Sequence, residues 1–319
     1  MRQIERFICM SDCHIRDKTP VCRKDNIKLV TKRKLSFIVD IANKYNAHII
    51  SGGDFFDYAH TSYELLSYII PIFLRLKKKF FTVYGQHDLR YHSMKSLANT
   101  PLNVLLLAIG GVFLKDTPYS LGDIDLYGMN WGESQFPSLD SSKFNILSTH
   151  RMVINDSTLW DGQEDFIEGN NLLRLTDFDM IISGDNHQSF VNKFKHKLLI
   201  NSGSLLRLNK SQIDHKPRVG LVTVDVDNKD IKFEWIYIPI KNSEDCFVED
   251  LVKTEDIGAD SIEIDTEFIE KLKKTKSDNV KFIHVLQESL SMVEDDYVLK
   301  ALNDIIHSII NNDKDSILR

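Results

Sequence analysis

The 319-residue chain predicts an α/β fold, on two observations. Short apolar runs alternate with amphipathic stretches over residues 1–240, and each of five runs ends in a cluster of carboxylate, imidazole or amide side chains. A third observation, an acidic shift in composition near residue 241, marks off 241–319 as a smaller, mainly helical accessory region.

Strands are predicted at 6–11, 47–51, 80–84, 144–148, 179–183 and 197–201, each too short for a helix and closed by a polar residue or glycine. Between them, 26–45 sets Leu29, Ile38 and Ile41 among charges at helical spacing, and 61–78 does the same with Leu65, Leu66, Ile69, Ile72 and Phe73. Residues 218–240 read as a hairpin turning at Asp227–Lys229. Beyond 241, helices are predicted at about 266–275, 279–292 and 295–311. The last carries a stripe of Val298, Leu302, Ile305 and Ile309, suited to packing within its own small domain or to docking in a partner's groove.

Composition narrows the class. With 42% hydrophobic and 27% charged residues, the chain has enough apolar side chains for a large core and is not disordered. Four cysteines, scattered and without CxxC spacing, exclude a disulfide framework and a zinc-thiolate site. No apolar run approaches ~20 residues, so no membrane span is expected. The N-terminus is a charged lead into a strand rather than a signal peptide, and a cytoplasmic location is expected. The net charge of -6 is unevenly spread: residues 241–319 hold 10 Lys+Arg and 19 Asp+Glu, residues 1–240 hold 30 and 27. An acidic total therefore does not exclude a polyanionic ligand for the body.

The strand ends carry the chemistry. They read Asp12-Cys13-His14, Gly52-Gly53-Asp54, Gly85-Gln86-His87-Asp88, Thr149-His150 and Gly184-Asp185-Asn186-His187. Singly, each is an ordinary turn or cap. Jointly they place oxygen and imidazole donors at the carboxyl ends of strands, where α/β sheets gather ligands. That donor set suits divalent Mn, Fe or Zn. Two cations ~4 Å apart can clamp the attacking and leaving oxygens of a phosphoester, so no Ser or Cys nucleophile is needed.

In order and spacing these five blocks resemble the signature of calcineurin-like metallophosphoesterases: D-x-H, G-D, G-N-H-[DE], an isolated H and G-H-x-H, over about residues 6–207. The resemblance implies a four-layer α/β/β/α sandwich of two mixed sheets. It implies that Asp12, His14 and His187 hold one metal, that Asp54 bridges, and that Gln86, His150 and Asp185 complete a second site. His87 would protonate the leaving oxygen. Two positions depart from the family pattern: Gln86 stands for Asn and Asp185 for His, both on the second metal. The added carboxylate leaves the paired ions with one net positive charge rather than two. Oxygen-rich coordination favours Mn²⁺, or Mg²⁺, over zinc.

Within the superfamily, Gly53-Asp54-Phe55-Phe56-Asp57 resembles the G-D-x-F-D block of SbcD-type DNA repair nucleases, and Asn201-Ser202-Gly203-Ser204-Leu205 resembles their last strand end. Asp88 stands where protein Ser/Thr phosphatases carry Glu, a feature shared with cyclic-nucleotide phosphodiesterases. The resemblance implies a bacterial or phage DNA exo- or endonuclease subunit, with an SbcC-type coiled-coil ATPase as partner and a homodimer as assembly. Lys18, Arg23, Lys24, Lys28, Lys32, Arg33 and Lys34, with Lys77–Lys79, are candidate backbone contacts. Arg90, Tyr91 and His92 sit close to substrate in sequence, and Tyr91 offers a stacking ring. Two other readings stay open: a phosphoesterase acting on nucleotides or other small phosphoesters, and a non-catalytic binding module with an impaired metal site.

Overall fold

The computed structural model describes residues 3–159 and 163–248. The chain divides into two units, Met1–Glu255 and Asp256–Arg319, and all described residues belong to the first. The helices expected at 266–275, 279–292 and 295–311 lie outside the described residues.

The chain lays down β1 (Ile4–Met10), β2 (His48–Ser51), β3 (Phe80–Thr82) and β4 (Val112–Phe113) as four parallel strands. Their crossovers are helices α1 (Ile27–Tyr45), α2 (Tyr63–Phe73) and α3 (Pro101–Ile109). It then enters a second sheet through β5 (Tyr119–Leu121), β6 (Ile124–Met129) and β7 (Phe144–Thr149). A two-stranded ribbon, β8 (Val153–Ile154) with β9 (Ile167–Glu168), and helix α4 (Gly169–Leu175) lead to β10 (Met180–Ser183), β11 (Phe190–Phe194) and β12 (Lys197–Asn201). Finally β13 (Arg218–Asp225) and β14 (Asp230–Tyr237) return as a hairpin to the first sheet, followed by the short helix α5 (Ser243–Cys246).

The sheet orders are β14-β13-β1-β2-β3-β4 and β11-β12-β10-β7-β6-β5. Both are mixed, combining parallel and antiparallel pairs. Strands covered on both faces read as continuous apolar runs, and period-two alternation decides which layer each side chain enters. Along β1, Phe7 and Cys9 enter the core between the sheets, while Ile8 and Met10 pack under the helices. Along β10, Met180 and Ile182 face the other sheet, and Ile181 packs outward with Leu172 and Leu173 of α4. The result is the expected four-layer α/β/β/α sandwich.

Local signals account for the helix ends. The Asn26 side chain accepts from the Leu29 N–H at 3.2 Å, and Asn46 closes α1 in the left-handed region with φ 51°. The buried stripe of α1 is Ile27, Val30, Leu35, Ile38, Val39 and Ala42, so Leu29, expected on that face, is instead 58% exposed. Helix α2 stops well short of residue 78: it accommodates Pro71, at the cost of one hydrogen bond back to the preceding turn, and ends at Phe73. The strand expected to reach residue 84 ends at Thr82, because the Tyr84 N–H is taken by the Asn130 side chain at 2.8 Å. Strand β6 has no counterpart among the elements predicted from sequence. Its apolar run is broken by Asp125, which is buried because Ser120 Oγ and Lys143 Nζ reach its carboxylate at 2.6 and 3.2 Å. Past Ile240 the described chain stays on this body. Phe247 is fully buried, and the Val248 N–H bonds the Cys22 carbonyl at 3.0 Å. No helix among the described residues is long and apolar enough to cross a membrane.

Candidate metal centre

The carboxyl ends of β1, β2, β3, β7 and β10 meet at one rim, stitched by their own backbones. The Asp12 N–H bonds the Gly53 carbonyl at 3.1 Å, the His14 N–H bonds the Asp54 carbonyl at 3.1 Å, and the Gly184 N–H bonds the Thr149 carbonyl at 3.0 Å. This close approach needs unusual backbone. Asp12, His14, Asp54 and Asp185 all hold left-handed φ, at 46°, 42°, 48° and 77°, a conformation that costs a side-chain-bearing residue of order 1–3 kcal/mol. At Gly53, with φ 96°, a Cβ would lie 2.5 Å from His150 Nδ1, so only glycine admits the imidazole there.

The side chains of these strand ends come together in three candidate ligand clusters among the described residues: Asp12, His14 and His187; Asp12, Asp54 and His150; and His14, Asp57 and His87. His14 Nε2 lies 3.1 Å from His187 Nε2 and 3.8 Å from Asp54 Oδ2. His150 Nε2 lies 3.3 Å from Asp54 Oδ2 and 3.9 Å from Asp185 Oδ1. The two departures from the family pattern meet each other, Gln86 Nε2 donating to Asp185 Oδ1 at 3.0 Å.

Outer hydrogen bonds set the tautomers. His150 Nδ1 contacts the Gly52 carbonyl at 2.7 Å and His14 Nδ1 contacts Asp57 Oδ1 at 3.1 Å. Both rings thus donate outward and turn Nε2 inward, as metal-binding imidazoles do. His150 Nε2 is paired with the Asp54 carboxylate at 3.3 Å, and two buried atoms at the convergence, Asp12 Oδ2 and Gln86 Oε1, have no hydrogen-bond partner among the described residues. Leaving such atoms unpaired costs roughly 1–3 kcal/mol each, so a donor set of this kind fits metal ions.

The electrostatics agree. Burial disfavours the His150 imidazolium, but the carboxylates of Asp54, Asp12 and Asp185 outweigh it and push its pKa up to about 10. Burial also opposes the Asp54 carboxylate, which His150, His14 and His87 nevertheless hold below the ordinary carboxylate range. Burial raises the Asp12 carboxyl against the pull of His187, His150 and His14. A buried field this negative attracts cations, and the His150 proton does part of the work of a metal charge.

His87 is exposed at the edge of the cluster, its ring edge-on to His14 at 4.9 Å. Its Nδ1 contacts the Asp57 backbone carbonyl at 3.1 Å and its backbone N–H donates to Asp54 Oδ1 at 2.9 Å, which leaves Nε2 uncommitted. Sequence alone assigns Asp57 no role, although it orients both His14 and His87; its signal is its place three residues after Asp54. Asp88, fully buried, accepts from the Phe55, Phe56 and Gly85 N–H groups and ties the second strand end to the third. Cys13 points into the apolar core, away from its flanking neighbours.

The basic cluster needs correction. Arg23 and Lys34, expected among the candidate DNA contacts, are only 6% and 5% exposed and bond to backbone carbonyls within the body. Lys28 is engaged with Glu64 at 2.5 Å. Tyr91 is 64% exposed, with the Arg90 guanidinium over its ring.

The family model described as calcineurin-like phosphoesterase matches residues 5–189. The sequence has no significant match among curated proteins. Similar solved structures include a novel archaeal phosphodiesterase (16% identity, 72% of this chain and 99% of that one, TM-score 0.39). Others are TT1561 of Thermus thermophilus (11%, 73% and 99%, TM-score 0.44) and a single mutant of Vps29 from Entamoeba histolytica (12%, 73% and 99%, TM-score 0.33).

Proposed function

Because the chain belongs to the calcineurin-like phosphoesterase family, we propose that it is a two-metal phosphodiesterase that cuts DNA, a nuclease subunit of the SbcD kind working with a coiled-coil ATPase. The observation that carries the metal chemistry is the meeting of buried oxygen and imidazole ligands at five strand ends, with Asp12 Oδ2 and Gln86 Oε1 left unpartnered beside the His150–Asp54 pair. Asp12, His14 and His187 would hold one ion, Asp54 would bridge, and Gln86, His150 and Asp185 would hold the other. When bound, a pair of divalent ions supplies the charge that stabilises the attacking and leaving oxygens of an in-line displacement. The oxygen-rich second position favours Mn²⁺.

The chain's own groups do the rest. Asp57 fixes the His14 ring, and its backbone carbonyl holds the Nδ1 side of His87. His87 Nε2 then faces the substrate and delivers a proton to the departing oxygen. Support for DNA as substrate comes from the Gly53–Asp57 block and from a body that is not acidic over residues 1–240.

Linear and nicked duplex DNA, assayed with Mn²⁺ beside a panel of nucleotides and cyclic nucleotides, tests the substrate. DNA cleavage with binding that weakens steeply in salt is expected, and turnover confined to nucleotides would move the activity to small phosphoesters. One observation favours a second reading, a binding module with an impaired site: Gln86 and Asp185 satisfy each other. Metal analysis at saturating Mn²⁺ separates the two. Two ions per chain are expected, and a single ion with no second at millimolar Mn²⁺ sinks the two-metal reading.

A further inference from the structure

Away from the metal centre, a cavity of about 320 Å³ opens between α1, the segment after β12 and the chain following β14. That volume lies at the small end of the range for organic ligands, roughly 300–1,000 Å³. Three of the cations lining it are buried: Lys34, Arg207 and Arg23, at 5%, 3% and 6% exposure. Two more, Arg33 and Lys241, line it from exposed positions, and the one carboxylate among the lining residues is Asp25.

The charges do not balance locally. Asp25 is committed to Arg23 through two hydrogen bonds of 2.9 and 2.8 Å. Among the described residues Arg207 meets neutral acceptors, the carbonyls of Ile213 and Lys241 at 3.0 and 2.8 Å, Ser243 Oγ at 3.1 Å and Cys246 Sγ at 3.4 Å. Lys34 donates to the Leu205 carbonyl at 2.6 Å, leaving the rest of its ammonium for the cavity. Buried cations are ordinarily paired with anions, and among the described residues two of these have none. Burial, with Arg207 and Arg23 close by, pulls the Lys34 pKa down to about 7, the mark of a missing counter-charge. The walls between the cations are apolar, formed by Val30, Phe37 and Ile238.

We propose that this cavity is a binding site for a phosphate monoester with a flat or apolar organic body, of nucleotide size. Its phosphate is seated on Lys34 at the positive end that Arg207 supplies by charge, with Arg33 and Lys241 at the mouth. A phosphate dianion answers a surplus of this size better than a carboxylate, and the Phe37 wall gives the organic body a surface to pack on. This site shares no lining residue with the metal centre, and the proposal does not rest on the activity proposed for that centre.

The test uses the full chain in EDTA, which removes phosphate binding through metal, with dAMP and inorganic phosphate as probes in thermal shift and calorimetry. One dAMP per chain is expected, with the melting temperature rising by roughly 5–10 °C at a hundredfold excess over Kd. Inorganic phosphate should bind at least tenfold more weakly. Lys34→Met should melt higher than the wild type without ligand, since it removes an unpaired buried charge, and should lose the response to dAMP. Arg33→Gln with Lys241→Gln, at exposed positions that leave folding intact, should weaken dAMP several-fold. The same dAMP response in the wild type and either variant, or none at millimolar dAMP, overturns the proposal. Inorganic phosphate binding as tightly as dAMP overturns the organic part of it.

Discussion

His150 carries the heaviest electrostatic load in the centre, a buried imidazole facing three carboxylates. Its folded-state pKa of about 10 lies above the ordinary value of 6.5, so the stability it lends is complete below about pH 6.5 and is lost as pH rises through about 10. The metal-free protein is therefore expected to lose melting temperature between those limits, and His150→Ala should flatten the decline. A profile unchanged by the substitution would show that the imidazolium is not the stabilising group. At His87 the expectation is kinetic. His87→Ala should bind Mn²⁺ and DNA as the wild type does while kcat falls 10²- to 10⁴-fold, the usual worth of a general acid. Retained turnover in a single-turnover assay would remove it from the proton-transfer role. Strand-end motifs place both residues in the site from sequence. The part Asp57 plays in positioning two histidines has only a weak signature, its place three residues after Asp54; that its carboxylate meets His14 and its carbonyl meets His87 depends on where the loop folds back.

At the scale of elements, the site is a set of strand ends brought closer than ordinary residues allow. Gly53→Ala would force a Cβ to within 2.5 Å of His150 Nδ1 and hold alanine at φ 96°. A loss of roughly 2–4 kcal/mol is expected, together with weakened Mn²⁺ binding as the His150 ring is displaced. Chemical denaturation and calorimetry check the two effects, and wild-type values for both would mean that the strand ends have slack. Elements with clean apolar runs or helical patterns are legible in the sequence: β1, β2, β7, β10, β12, the final hairpin and α1. Strand β6 is not, since Asp125 interrupts its pattern and is tolerated only through Ser120 and Lys143. Helix α3 escapes a reading by periodicity, although Thr100, Pro101 and Gly110 supply its cap, first turn and stop.

For the whole molecule, the body reaches past the compositional boundary at residue 241. Arg207 donates to Lys241, Ser243 and Cys246, and Phe247 is fully buried with the Arg23 and Arg207 guanidinium groups over its ring. A chain ending at residue 248 is expected to melt near the wild-type temperature of the body. One ending at 240 should melt about 6–12 °C lower, the equivalent of roughly 3 kcal/mol for one lost aromatic anchor. Equal melting of the two truncations would show that the segment adds nothing to stability.

The α/β class and the strand ends that carry the candidate ligands can be read from the chain itself, since apolar patterning and strand-end motifs are local properties written in consecutive residues. Alternation alone does not tell two packed sheets from one, and the four layers are implied only by the family resemblance. Which cations face solvent is settled only by the folded arrangement. Arg23 and Lys34 share one basic run with Lys24, Lys28, Lys32 and Arg33, yet they are buried, because residues 205–207 and 241–247 return to close over them. Burial of a charge depends on contacts between segments far apart in the chain, and no local pattern encodes it.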